Sequence, residues 1–199
     1  LSQENLRLYS DSASGPVIEI IPGQIVTGKG DAELRMEGNM VLPDPERDLL
    51  KLVVIERYTG RGGRSGAVVK GFGLKRGAIA STVAHDSHNV VVVGTSDEEM
   101  LLAVKKVEDM GGGLVVVKGQ ETLAALPLPL AGLVSLDPVE VVARKVQELH
   151  RAALQLGCAL DNPFMALSFL AIPVIPKLKI TDLGLVDVEK FRVVALFVE

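Results

Sequence analysis

The sequence predicts an α+β fold, a mixed and mainly antiparallel sheet system with packed helices and no barrel in the chain. Three observations carry this. Short β-type runs outnumber helical stretches, several neighbouring runs are joined by tight turns suited to antiparallel pairing, and only two segments hold a long apolar stripe at helical spacing.

Residues 1–16 are polar and end in Ser-Ala-Ser-Gly-Pro, a tail or linker ahead of one compact domain over 17–199. Residues 17–21 form a β-type run stopped by Pro22-Gly23, which residues 24–27 can continue after the turn. Gly28-Lys29-Gly30-Asp31 reads as a second turn, and residues 32–42 are weakly patterned. Residues 43–48 allow one helical turn at most, because Pro45 is tolerated only at a helix start. Residues 50–55 are a strand, 61–66 a loop, and 67–72 and 78–84 two further strands. The continuous apolar run 89–93 suits a strand buried on both faces.

Ser96-Asp97-Glu98-Glu99 has the spacing of a capping box, and Met100, Ala103, Val104, Val107 and Met110 form the stripe that follows, up to Gly111-Gly112-Gly113. The second helix starts at Asp137 with Pro138 in its first turn; Val142, Val146, Leu149, Ala153 and Leu156 recur at helical spacing before Gly157. Between them, 114–118 and 122–126 read as a hairpin around Gly119. Asp161 can cap a short helix from Pro163, and 192–198 is a final strand.

Composition narrows the function. The 199 residues are 48% hydrophobic and 23% charged, with a net charge of −4, which does not favour nucleic acid or an anionic membrane as partner. No apolar run reaches the roughly 18 residues of a transmembrane helix, and the N-terminus lacks the pattern of a signal peptide. The single cysteine, Cys158, cannot form an internal disulfide, which fits a cytoplasmic setting. The chain opens on Leu1, which we read as the mark of a fragment or a processed product.

The segment with the most chemistry is His85-Asp86-Ser87-His88-Asn89, which holds two of the three histidines around a carboxylate, at a strand-to-strand turn. Imidazoles and a carboxylate brought together by a turn can hold a divalent metal or shuttle protons near neutral pH. The same residues also make an ordinary polar turn, since Asp and Asn bond their own backbone. Residues 57–84 carry Arg57, Arg61, Arg64, Lys70, Lys75 and Arg76 without Asp or Glu until 86, but with little aromatic interleaving for base stacking. The glycines of 60–66 fit neither the dinucleotide fingerprint nor a P-loop. Cys158 reads as a buried thiol.

The run from Val69 to Asn89, with Gly71-Phe72-Gly73-Leu74-Lys75-Arg76-Gly77 and Ala84-His85-Asp86-Ser87-His88-Asn89 within it, resembles the C-terminal domain of bacterial and archaeal adenine deaminases. So do Ile21-Pro22-Gly23-Gln24-Ile25-Val26-Thr27, Asp44-Pro45-Glu46-Arg47-Asp48, Leu126-Pro127-Leu128-Pro129-Leu130-Ala131-Gly132, Asn162-Pro163-Phe164-Met165 and the stretch 181–188, in the same order. The resemblance implies a metal-dependent amidohydrolase that converts adenine to hypoxanthine and ammonia. It places a manganese or iron centre in a separate N-terminal (β/α)₈ barrel, whose ligands include a His-x-His pair. No His-x-His occurs here, and 199 residues cannot hold a barrel of about 250 residues as well.

The resemblance therefore implies a C-terminal part, inactive alone, of a homo-oligomeric enzyme whose partners are adenine and the barrel. It implies further that His85, Asp86, Ser87, His88 and Asn89 form an active-site loop at the barrel mouth. There His85, Asp86 and His88 would contact substrate, water or an accessory metal, and Lys75 and Arg76 would support the loop or the domain contact. Two other readings stay open: a non-catalytic interaction or oligomerisation module, and a stand-alone purine- or metal-binding domain.

Overall fold

Strand β6 (Leu50–Ile55) explains the architecture, because every residue from Leu50 to Val54 is buried. Burial on both sides of a strand requires both faces of its sheet to be covered, which removes the alternation of a half-exposed strand. The computed structural model describes residues 1–194. A 3-10 helix Gln3–Leu6 comes first, then β1 (Leu8–Tyr9), β2 (Ser14–Ile20), β3 (Thr27–Glu33), β4 (Arg35–Glu37), β5 (Met40–Leu42) and β6. There follow β7 (Arg64–Lys70), β8 (Ala78–Ser81), β9 (Val90–Gly94), α1 (Asp97–Asp109), β10 (Gly113–Lys118) and β11 (Glu121–Pro127). The described chain ends with α2 (Val139–Gln155), α3 (Pro163–Phe169), β12 (Leu178–Thr181), β13 (Gly184–Asp187) and β14 (Arg192–Val194).

Eight strands make the main sheet, in the order β11-β10-β8-β9-β6-β7-β2-β3, and only β2 and β7 run parallel. Two three-stranded antiparallel sheets, β1-β5-β4 and β12-β13-β14, flank it. The fold is the α+β class expected, with no closed barrel among the described residues. Side chains alternate between two cores. Leu50, Leu52, Val54, Val91 and Val93 face α2, α3 and the C-terminal sheet, packing with Leu149, Leu156, Leu167 and Ile180. Val53, Val92, Ala78 and Ala80 face α1 and the N-terminal segment, packing with Met100, Val104, Leu6 and Val41.

The helix signals act largely as their chemistry requires. The Ser96 hydroxyl accepts the Glu99 backbone N–H. Glu99 reaches further than a capping box needs, accepting the Gly77 and Gly119 backbone N–H groups at 3.0 and 2.8 Å. It thus ties α1 to the start of β8 and to the β10–β11 turn. Helix α2 starts at Val139 with Pro138 as its N-cap, and Asp137 pairs with Lys145 at 2.7 Å. For α3 the N-cap is Asn162, without a side-chain bond, so Asp161 does not cap it.

Several expectations need correction. Residues 1–16 are not a tail: Leu6 is fully buried, Leu8 nearly so, and β1 pairs with β5. Their polar composition conceals two apolar anchors. The turn expected at Gly28-Lys29-Gly30-Asp31 is the middle of β3. The Glu19 side chain lies across these glycines, and a Cβ at Gly28 or Gly30 would have to push its carboxylate aside. Residues 43–48 form turns closed by an Asp44–Leu49 bridge and no helix. The strand expected over 192–198 is described only to Val194, and its remainder lies outside the described residues.

Candidate functional site

The histidine loop joins β8 to β9, which are antiparallel neighbours in the sheet, so its ends are fixed by two buried strands. His88 turns the chain back with φ +51°, a left-handed conformation unusual for a residue with a Cβ. Its N–H donates to the Ala84 carbonyl at 2.6 Å, and its ring Nδ1 accepts the Ala84 N–H at 3.3 Å. With Nδ1 used as acceptor, the neutral ring carries its proton on Nε2 and offers a donor there. Burial, then the neighbouring His85 and Arg57, push the His88 pKa below its ordinary value, while Asp86 opposes them. The neutral imidazole is therefore the form present at pH 7.

The rings of His85 and His88 meet edge to face, with centroids 5.5 Å apart, and the His85 ring packs on Phe169 at 5.4 Å. Asp86 and Ser87 are exposed at the tip of the loop. Asn89 is buried: its amide donates to Asp182 Oδ1 at 3.1 Å, while its Oδ1 has no partner. The five predicted residues are thus contiguous, but they divide into two half-buried rings, two exposed polar tips and one buried anchor.

They do not make a metal centre by themselves. Among the described residues no three His, Cys, Asp or Glu side chains are grouped to hold a metal ion. The physical reason is local: His88 Nδ1 is engaged with the backbone, and Asp86 points to solvent exposure at the tip.

Lys75 and Arg76 lie elsewhere. Lys75 Nζ donates to the Pro45 carbonyl at 2.9 Å and Arg76 donates to the Gln155 carbonyl at 3.4 Å, so they brace the 43–48 turns and the end of α2. Within the described residues the side chains that bond the backbone of the loop are those of Arg57 and Tyr58. Arg57 Nε donates to the His88 carbonyl at 2.6 Å, and the Tyr58 hydroxyl donates to the same oxygen at 3.1 Å. The sequence counted Arg57 only as one cation of a basic stretch. No spacing signal links it to a carbonyl 31 residues away.

Two cavities lie near the loop, neither of them lined by residues 85–89. One of about 370 Å³ shares Phe169 with the His85 contact and is walled by Gln24, Asp48, Gly71, Asn162 and Met165. Asp48 shapes it by accepting the Gly71 and Gly73 backbone N–H groups at 2.8 and 2.7 Å. The other, of about 340 Å³, is walled by Arg57, Thr82, Val90 and Val104. Cys158 is buried, and burial raises its pKa, so it is a poor nucleophile. No helix among the described residues is long and apolar enough to cross a membrane.

Comparison with known proteins adds the family. Residues 24–192 match the family described as the adenine deaminase C-terminal domain. An adenine deaminase of Dehalococcoides mccartyi is 49% identical over 191 residues, which is 96% of this chain and 34% of that protein. Adenine deaminases of Brucella anthropi and Desulfatibacillum aliphaticivorans are 48% and 50% identical, over 98% and 96% of this chain and 34% and 33% of theirs. The chain spans about a third of the length of the curated relatives it matches.

Proposed function

The chain belongs to the family of adenine deaminase C-terminal domains, and on that premise we propose that it works as the C-terminal part of an adenine deaminase. The enzyme is a hydrolase of purine metabolism that replaces the C6 amino group of adenine by oxygen, giving hypoxanthine and ammonia. The observation that carries a role for this chain is the pre-set histidine loop, whose backbone is held from below while its ring edges and tip stay available.

The manganese or iron that the resemblance implies does not fit the residues of this chain, because no three candidate ligands are grouped among the described residues. We assign the metal to the N-terminal barrel and give this chain no step through it. What its residues can do is bind, orient and exclude water. His88 Nε2–H suits an unprotonated purine ring nitrogen, which accepts, and the Asp86 carboxylate suits the exocyclic amine, which donates. His85, backed by Phe169, offers an apolar edge to a planar base. Alone, the chain should leave adenine unchanged. Its one cysteine supports a cytoplasmic placement for the enzyme.

The test is His85→Ala and His88→Ala, each in the intact enzyme. We expect turnover to fall about tenfold or more, the scale of a lost orienting contact, with bound metal unchanged. Full turnover in both variants would reduce the loop to a structural turn.

A further inference from the structure

We propose that Arg57 is the positioning residue of the histidine loop, one guanidinium holding two left-handed backbone turns, at His88 and at Ala131, at a fixed distance from each other. The functional consequence rests on the reading above; the positioning itself does not. Arg57 Nε donates to the His88 carbonyl and its Nη2 to the Ala131 carbonyl, each at 2.6 Å. Contacts this short are those of a charged donor, and the planar guanidinium fixes both directions at once.

Both receiving residues are strained. His88 has φ +51° and Ala131 φ +57°, and neither is glycine. Such residues persist only where their surroundings over-determine them, and they gather at functional sites. Here one side chain engages both. Tyr58 completes the seat: its hydroxyl accepts from Arg57 Nη2 at 3.0 Å and donates to the His88 carbonyl at 3.1 Å, and its ring lies 4.6 Å from the guanidinium.

The hold closes into a ring around the loop. Gly132, next to Ala131, accepts the Thr82 hydroxyl at 2.5 Å, and Thr82 stands three residues before His85. The 131–132 turn therefore grips the histidine loop at both feet, at Thr82 directly and at His88 through Arg57. Gly132 also cannot carry a Cβ, which would stand 2.9 Å from the guanidinium nitrogens. This gives Ala131-Gly132, a segment that the sequence marks only by resemblance, a physical task in setting where His88 points.

A lysine at 57 keeps the charge but not the fork. In the intact enzyme, Arg57→Lys and Arg57→Ala should each lower kcat for adenine about tenfold, with lysine failing to rescue. The Arg57→Ala/His88→Ala double variant should be no slower than His88→Ala, because Arg57 acts through His88. Full activity in Arg57→Lys alongside a slow His88→Ala overturns the proposal, and so does a double variant slower than His88→Ala by the whole Arg57 factor. Should His88→Ala be fully active, the part of the functional reading that rests on His88 fails, and the crystal structure of Arg57→Lys decides the positioning separately. Displacement of His88 and Ala131 from their left-handed conformations supports it, and an unmoved loop overturns it. Arg57→Lys keeps the test available if the alanine variant does not fold.

Discussion

The parent chain should gain stability between pH 8 and pH 10.5, and Lys179→Met should abolish that rise. Lys179 lies on β12 and is fully buried. Its Nζ donates to the Ile25 and Phe169 carbonyls at 2.8 and 2.9 Å, and no carboxylate pairs with it among the described residues. Burial lowers its pKa from 10.5 to about 8. A lysine with a depressed native pKa binds its proton more tightly in the unfolded chain. Between the two values the unfolded chain therefore carries more protons, and stability climbs with pH. Below pH 8 both states are charged and the native state bears the full penalty. The gap from 10.5 to about 8 sets an upper figure of about 3 kcal/mol, at about 1.36 kcal/mol per pH unit. Methionine removes the buried charge but strands two carbonyls, at a cost of about 1–3 kcal/mol each. The variant should therefore be near the parent at pH 7 and weaker than it at pH 10. Denaturant unfolding of parent and variant at pH 7, 8.5 and 10 measures this, and taking their difference cancels the other lysines, the tyrosines and Cys158. A difference that stays constant across that range would refute the reasoning.

Other perturbations test other parts of the fold. Asp48→Ala removes the acceptor for the Gly71 and Gly73 N–H groups and should cost about 2–4 kcal/mol in denaturant unfolding, with Asp48→Asn recovering part of it because one oxygen remains; equal losses would show that both oxygens matter alike. Asp97→Asn leaves the fully buried Lys51 without its counter-ion and should cost about 3–5 kcal/mol, while adding Lys51→Met should restore most of it; a double variant as weak as the single one would count against an uncompensated charge as the cause. Gly77→Ala, at φ +80°, drives a Cβ into the Val117 carbonyl and Leu156, and a thermal melt should show a loss of about 3 kcal/mol or more; a melt within a degree of the parent would mean that β8 can shift.

The sequence made legible the elements in which local chemistry and tertiary role agree. Strands β6 and β9 are apolar throughout because both their faces are covered, and α1 carries its own cap, stripe and glycine stop. Legibility failed where a residue serves a distant neighbour. Gly28 and Gly30 read as turn glycines, yet they are strand residues making way for Glu19. The β12–β13 hairpin carries no clear sequence signal, since Lys179 looks like a surface residue and is a core one. The histidine loop could be found because its five polar residues are consecutive. What holds it could not, because the Arg57 contacts span 31 and 74 residues of chain.

The same geometry suits the proposed role of a domain that assists a partner. A sheet covered on both faces has its backbone groups and its side chains committed to packing, so chemistry can only be offered from its ends. At one such end the β8–β9 loop presents a neutral imidazole with Nδ1 held by the backbone and its proton on Nε2, backed by a second ring. Hydrolysis of an aromatic amine needs an activated water as well as an oriented base. Grouped metal ligands, the usual means of activating that water, are missing among the described residues, while on the proposed reading the loop braced by Arg57 would orient the base. A surface so prepared, and so incomplete, is what the shorter part of a two-part active site should look like. Uncoupling the two parts should then leave this chain able to fold, with the Arg57 clamp formed, before any substrate is present.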